Sequence, residues 1–165
     1  MLIIAFLSWI LFITSYQIII THNLRMEFYG VINSLKKNVL RGFHFQSKFK
    51  QAKFVSVLKG KILDYVIDLR KNSKTFGKGF RIVLSDNNCK SLYIPEGFAH
   101  AYYSFSKENI IYYKLSNYYH PEYEDGILWN DKILKNTWPT KKPIVSRKDK
   151  KLKTFLDFKK IYKSL

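Results

Sequence analysis

Residues 61–70, KILDYVIDLR, decide the fold class. Ile62, Asp64, Val66 and Asp68 alternate with Leu63, Tyr65, Ile67 and Leu69, a period of two that sends the two sets to opposite faces of an extended chain. The stretch is expected to be a half-buried strand. The flanking sequence repeats the signal: KFVSVL (53–58) precedes it across Lys59-Gly60, and RIVL (81–84) follows the turn-rich KNSKTFGKG (71–79). SLYI (91–94), HAYYSF (100–105) and IIYYKL (110–115) come next. Short β-branched and aromatic runs separated by Gly, Asn, Asp and Pro clusters indicate an all-β antiparallel sandwich or barrel.

The strand signals fade after Tyr119 into PEYEDGILWNDKILKNTWP (121–139), where Trp129 and Trp138 are expected to pin a loop against the barrel. The ending KDKKLKTFLDFKKIYKSL (148–165) sets Leu152, Phe155, Leu156 and Tyr162 near one face at helical spacing, with lysines elsewhere. A packed amphipathic helix is expected there, with a membrane-surface helix as the weaker alternative.

At 165 residues the chain fits one domain, and 47% apolar with 17% aromatic residues is too hydrophobic for a disordered chain. The formal charge of +17 suits an anionic partner. The lysines are scattered, however, and no helix-turn-helix, zinc-finger or RNA-binding signature occurs, so no nucleic-acid role is expected. Cys89 is the only cysteine, which excludes an internal disulfide and a cysteine-based metal site. The histidines His22, His44, His100 and His120 lack metal-ligand spacing, so no metal is expected.

MLIIAFLSWILFITSYQIII (1–20) has no charged side chain and is about as long as a bilayer-spanning helix. The residues alone leave three readings for 1–25: a membrane anchor, an extra buried strand, or a start-site artefact with Met26 as the start. If it spans, the positive flank of Arg25, Lys36 and Lys37 keeps residues 26–165 in the cytoplasm. The localisation expected is cytoplasmic, with membrane association through 1–20 as the variant.

VLRGFHFQ (39–46) has too many polar groups for a strand that only packs. In strict alternation His44 shares a face with Gly42 and Gln46, while Arg41 faces with Phe43 and Phe45. A bulge at Gly42 would bring Arg41 and His44 to one side, and bulges re-aim side chains beside active sites.

The quoted runs, with QAKFVSVLKGKILDYVIDLR (51–70), SKTFGK (73–78), LYIPEGFAHAYYSFS (92–106), YYKLSNYYHPEYEDGILWND (112–131) and SRKD (146–149), resemble the dTDP-4-dehydrorhamnose 3,5-epimerases. These are cupin-like jelly rolls. The resemblance runs from Val39 to Asp149 and implies proton abstraction beside the C4 ketone of a dTDP-linked 4-keto-6-deoxy sugar, then reprotonation from the opposite face. It assigns His44 as the general base, which suits an imidazole because that group titrates at about 6.5 in water. Asp149 is implied as the carboxylate paired with it, Tyr113 as the acid on the other face, and Lys53 as the cation beside the developing enolate. Arg41, Gln46, His100, Tyr119 and Glu124 are implied in substrate binding, with Arg41 on the diphosphate. No cofactor is needed, because the proton removed is replaced and the ketone survives. The resemblance also implies a homodimer. Family members usually carry a section before VLRG, with RGxFxE-like and QDN-like motifs, and residues 1–25 stand in its place. The alternatives are an epimerase acting at C3 or C5 alone, and a sugar-nucleotide-binding cupin without activity.

Overall fold

The computed structural model describes residues 29–134, 137–163 and 165. Segment 1–25, and with it the three readings of the apolar opening, lies outside the described residues. The described elements are β1 (Tyr29–Lys36), β2 (Val39–Gln46), β3 (Lys53–Lys59), β4 (Lys61–Asp68), β5 (Gly79–Ser85), β6 (Ser91–Ile94), β7 (Phe98–Ser104), β8 (Glu108–Leu115), β9 (Glu124–Gly126), β10 (Ile144–Val145) and one helix, α1 (Phe155–Tyr162).

Two sheets face each other. The first runs β1-β8-β3-β6 and the second β10-β2-β7-β4-β5, with β9 also paired to β2. Every pair is antiparallel except β10 with β2. The chain crosses between sheets at Gly60, the single residue between β3 and β4, whose φ of +85° is open to glycine. A Cβ there would also sit 2.4 Å from the Glu108 carbonyl oxygen.

Alternation fills the space between the sheets. Val55 and Val57 of β3, Ile62 and Val66 of β4, Leu84, Ile94 and Ile111 form the interior cluster. The other side of the second sheet is covered as well. Phe43, Phe45, Tyr65, Ile67 and Leu69 meet Phe155 and Phe158 of α1 and Ile127 in a second cluster, with Trp138 packed against it. This corrects the half-buried reading of residues 61–70: β4 is buried along both faces from Ile62 to Asp68, because α1 and the loop before it roof its outer side.

Helix α1 forms where expected, but its buried stripe differs. Thr154 caps it by accepting from the Asp157 N–H at 3.1 Å, which fixes its start at Phe155 and leaves Leu152 before it. Phe158 rather than Leu156 then lies three residues on from Phe155, fully buried, while Leu156 is 45% exposed. Burying one such Phe contributes about 1.5–3 kcal/mol. Trp138 pins its loop as expected: its ring lies 5.7 Å from Phe43 and 5.3 Å from Tyr65, and its Nε1 donates to the Trp129 carbonyl at 2.7 Å. Among the described residues, no helix is long and apolar enough to cross a membrane.

Candidate active site

Strand β2 pairs with β7 through Arg41 opposite Tyr102 and His44 opposite His100, so three steps on β2 meet two on β7. The extra residue is a bulge at Gly42, whose φ is +107°. A Cβ on Gly42 would lie 2.4 Å from the His100 carbonyl oxygen and 2.7 Å from Ala101, so only glycine fits. The bulge cancels strict alternation, and Arg41, His44 and Gln46 all line one cavity of about 510 Å³ between the sheets. That volume is in the range for a small-molecule site.

Asp149 lies behind His44. The His44 Nε2 is 2.9 Å from Asp149 Oδ1, and Asp149 is 1% exposed. Its other oxygen accepts from the Gly42 N–H at 3.4 Å, and its own N–H donates to Ser146 Oγ at 3.0 Å. Burial pushes the Asp149 carboxyl pKa up, but the hydrogen bond and charge of His44, with the smaller contributions of Ser146 and Gly42, hold it below the usual carboxylate range. An ionised Asp149 accepts, so Nε2 carries the proton and Nδ1 is the free nitrogen. Glu124 Oε1 lies 3.9 Å from Nδ1.

Glu124 comes from β9, a strand the sequence did not signal. Its Oε2 accepts from the Tyr119 hydroxyl at 2.5 Å and pairs with Lys148. Burial raises the Glu124 pKa, and Lys148, Tyr119 and His44 together bring it below its ordinary value. Gln46 also lines the cavity, but its amide is engaged by backbone: Nε2 donates to the Phe49 carbonyl at 2.7 Å and Oε1 accepts from the His120 N–H at 2.7 Å. It ties the two rim loops together. Arg41 Nη1 donates to the Leu40 carbonyl at 3.0 Å.

The facing sheet contributes Lys53 from β3 and Tyr113 from β8. Burial pushes the Lys53 pKa down, while Glu124 and Asp64 act in the opposite direction. Its Nζ makes no hydrogen bond or ion pair among the described residues. The Tyr113 hydroxyl is buried and has no hydrogen-bond partner. The Tyr102 ring stands 6.3 Å from the Tyr113 ring, centroid to centroid, and its hydroxyl acts on the Tyr113 phenol without meeting full hydrogen-bond geometry. Burial, with the charges of Tyr102 and Asp64, raises the Tyr113 pKa well above 10, so the phenol keeps its proton.

Eight of the nine residues singled out in the sequence line this cavity, and the ninth, Asp149, backs His44. Phe45, Gln51, Tyr102 and Leu115 line it too and were missed, as were Asp64 and Lys148, which act on lining residues from behind. Among the described residues, no group of three His, Cys, Asp or Glu side chains is arranged to hold a metal ion.

A family model described as dTDP-4-dehydrorhamnose 3,5-epimerase matches residues 14–157, beginning upstream of Val39. An epimerase of that name from Methanothermobacter thermautotrophicus is 45% identical over 120 residues, covering 71% of this chain and 65% of its own length. The Escherichia coli K12 enzyme is also 45% identical over 120 residues, covering 72% of this chain and 65% of its own. The matched part of the chain therefore spans slightly under two thirds of these curated relatives. Among solved structures, the Legionella pneumophila epimerase in complex with dTDP-4-keto-L-rhamnose is similar at a TM-score of 0.76 and 38% identity, covering 80% of this chain and 71% of that one. The Bacillus anthracis epimerase with TDP and PPi bound reaches a TM-score of 0.79 at 34% identity, covering 84% and 81%. The two facing sheets are thus those of a cupin-like jelly roll.

Proposed function

The chain belongs to the dTDP-4-dehydrorhamnose 3,5-epimerase family, and from that premise we propose that it epimerises C3 and C5 of dTDP-4-dehydro-6-deoxy-D-glucose to give dTDP-4-dehydro-L-rhamnose. The C4 ketone acidifies both neighbouring C–H bonds. His44 takes a proton at Nδ1, and the electron pair of the C–H bond moves into an enolate with its charge on O4. Asp149 holds the ring and stabilises the imidazolium. Lys53 meets the enolate with a fixed positive charge in a site shielded from water. Tyr113 then protonates the carbon from the opposite face, the ketone re-forms, and solvent restores both groups.

One observation carries this reading. A carboxylate-held imidazole on one sheet and an unpartnered, protonated phenol on the other face the same cavity. A base and an acid on opposite walls are what inversion at carbon requires. Arg41 is the diphosphate ligand in this reading, and Tyr119 with Glu124 lies toward the nucleotide. The test is proton NMR of the substrate incubated with the chain in D2O. Deuterium at both C3 and C5 with formation of the L-rhamno product supports the proposal, inversion at one centre alone shows a single-site epimerase, and an unchanged substrate removes the activity.

A further inference from the structure

Tyr113 is 6% exposed, and its hydroxyl is buried with no hydrogen-bond partner among the described residues. Each inversion uses the proton on that oxygen, and the reaction proposed above needs it twice, once for each centre. Bulk water does not reach a buried hydroxyl directly, so the proton has to return by way of a neighbour. Two rings that line the cavity stand beside Tyr113, both from β7: His100 edge-on at 6.1 Å and Tyr102 tilted at 6.3 Å, with 6.0 Å between the two.

The two neighbours differ in what they can pass on. His100 turns Nε2 to Asp64 at 2.9 Å, and in a neutral ring with that nitrogen donating, Nδ1 accepts a proton and has none to give. Tyr102 carries one. Burial raises its phenol above the ordinary value, against the smaller opposing effects of Tyr113 and Arg41. Two groups act on the Tyr113 phenol: Tyr102 is a hydroxyl, and Asp64 is already paired with His100. Strand register places Tyr102 opposite Arg41 of β2 and Asp64 of β4, and it stays partly exposed at the cavity where Tyr113 is not. The Tyr102 ring packs against the interior cluster around Val66 and Tyr113. A phenylalanine ring would pack there as well, so packing does not account for the hydroxyl.

We infer that Tyr102 is the relay through which Tyr113 regains its proton while the sugar is still bound, so that the second centre inverts in the same encounter; the inference rests on the reading proposed above. The transfers balance. The Tyr113 O–H bond breaks as the new C–H bond forms, which leaves a phenolate. The Tyr102 O–H bond then breaks as the Tyr113 O–H bond re-forms, and water in the open cavity reprotonates Tyr102. The hydroxide produced is neutralised by the proton that His44 releases, so no charge accumulates over the cycle.

The experiment compares Tyr102→Phe, which keeps the ring and removes the hydroxyl, with the wild-type chain. In rapid-quench measurements the first inversion per site should run at the wild-type rate, because the resting Tyr113 already holds its proton. Steady-state kcat is expected to fall on the order of tenfold, less than the loss of a direct acid would give. KM should change little, and NMR of the product should show singly inverted sugar released ahead of the L-rhamno form. First inversion and steady-state turnover falling to the same degree would overturn the inference, as would an unchanged kcat with only the doubly inverted product. A second reading does not need turnover. In chain labelled with carbon-13 at the tyrosine ζ position, the deuterium isotope shift reports hydroxyl exchange with D2O, and Tyr113 should exchange severalfold more slowly in the variant. Unaltered Tyr113 exchange overturns the inference even if the variant is slow. An inactive wild type would remove the functional reading, while the exchange comparison would still judge the Tyr102 route.

Discussion

On the wall built from β2, β7 and β9, each histidine and carboxylate lining the cavity already has its partner: His44 has Asp149, His100 has Asp64, and Glu124 has Tyr119 and Lys148. On the wall built from β3 and β8, the Tyr113 hydroxyl is buried without a hydrogen-bond partner among the described residues, and Lys53 feels Glu124 and Asp64 only through space. The difference separates two ways of preparing a group for chemistry. A partnered imidazole is oriented when the chain folds, and its tautomer is set before substrate arrives. An unpartnered buried polar group is left in a costly state, and substrate or transition state supplies what it lacks.

The largest effect should come from breaking the partnered wall at its centre. His44→Ala is expected to lower kcat on the order of 10³- to 10⁴-fold, since general base catalysis carries most of the proton abstraction. Circular dichroism should remain that of the wild type, because His44 is a lining residue rather than core. A smaller loss, on the order of 10²-fold in kcat, is expected for Tyr113→Phe on the other wall. There the comparison sharpens, because deleting a buried hydroxyl without a partner should raise stability by about 1 kcal/mol in a denaturant titration.

The same experiment on the partnered wall should have the opposite sign. The folded chain holds the Asp149 carboxyl below its ordinary range, so its contribution to stability is present above the unfolded value of about 3.9 and is lost as pH falls through the folded one. Asp149→Asn should accordingly cost about 2 kcal/mol at pH 7, the scale of a hydrogen bond to a charged group, and lower the melting temperature by several degrees. The gap to the wild type should close below pH 4. A gap that stays constant with pH would mean that the Asp149 contribution is packing rather than charge.

Most of the sheet was legible because β2 to β8 are short runs rich in β-branched and aromatic residues, with glycines and asparagines at the turns. Strands β9 and β10 were not, since Glu124–Gly126 and Ile144–Val145 are too short for a pattern and owe their conformation to pairing with β2. The C-terminal stripe was misread at Leu156 because four hydrophobics fit a helical face about as well as three, and only the Thr154 cap decides the phase. The lining residues could be named from VLRGFHFQ, QAKF, YYKL and SRKD. Gln46 lines the cavity while its amide holds the rim loops, a contact between segments 74 residues apart that no local pattern announces. Asp64 was invisible for a related reason. In a strand expected to have one solvated face, an aspartate in register looks like an ordinary surface residue, and its burial follows only from closure of the barrel over it.

The opposition of the two walls is tested most directly by following exchange and inversion separately in Tyr113→Phe, with the 4-keto sugar nucleotide in D2O. With the base intact and the opposite acid removed, His44 should still take the C–H proton and return deuterium to the same face. The account predicts substrate that gains deuterium at the exchanging carbon without being epimerised, while His44→Ala shows neither exchange nor inversion. Loss of exchange and inversion to the same degree in Tyr113→Phe, or exchange persisting in His44→Ala, would contradict it.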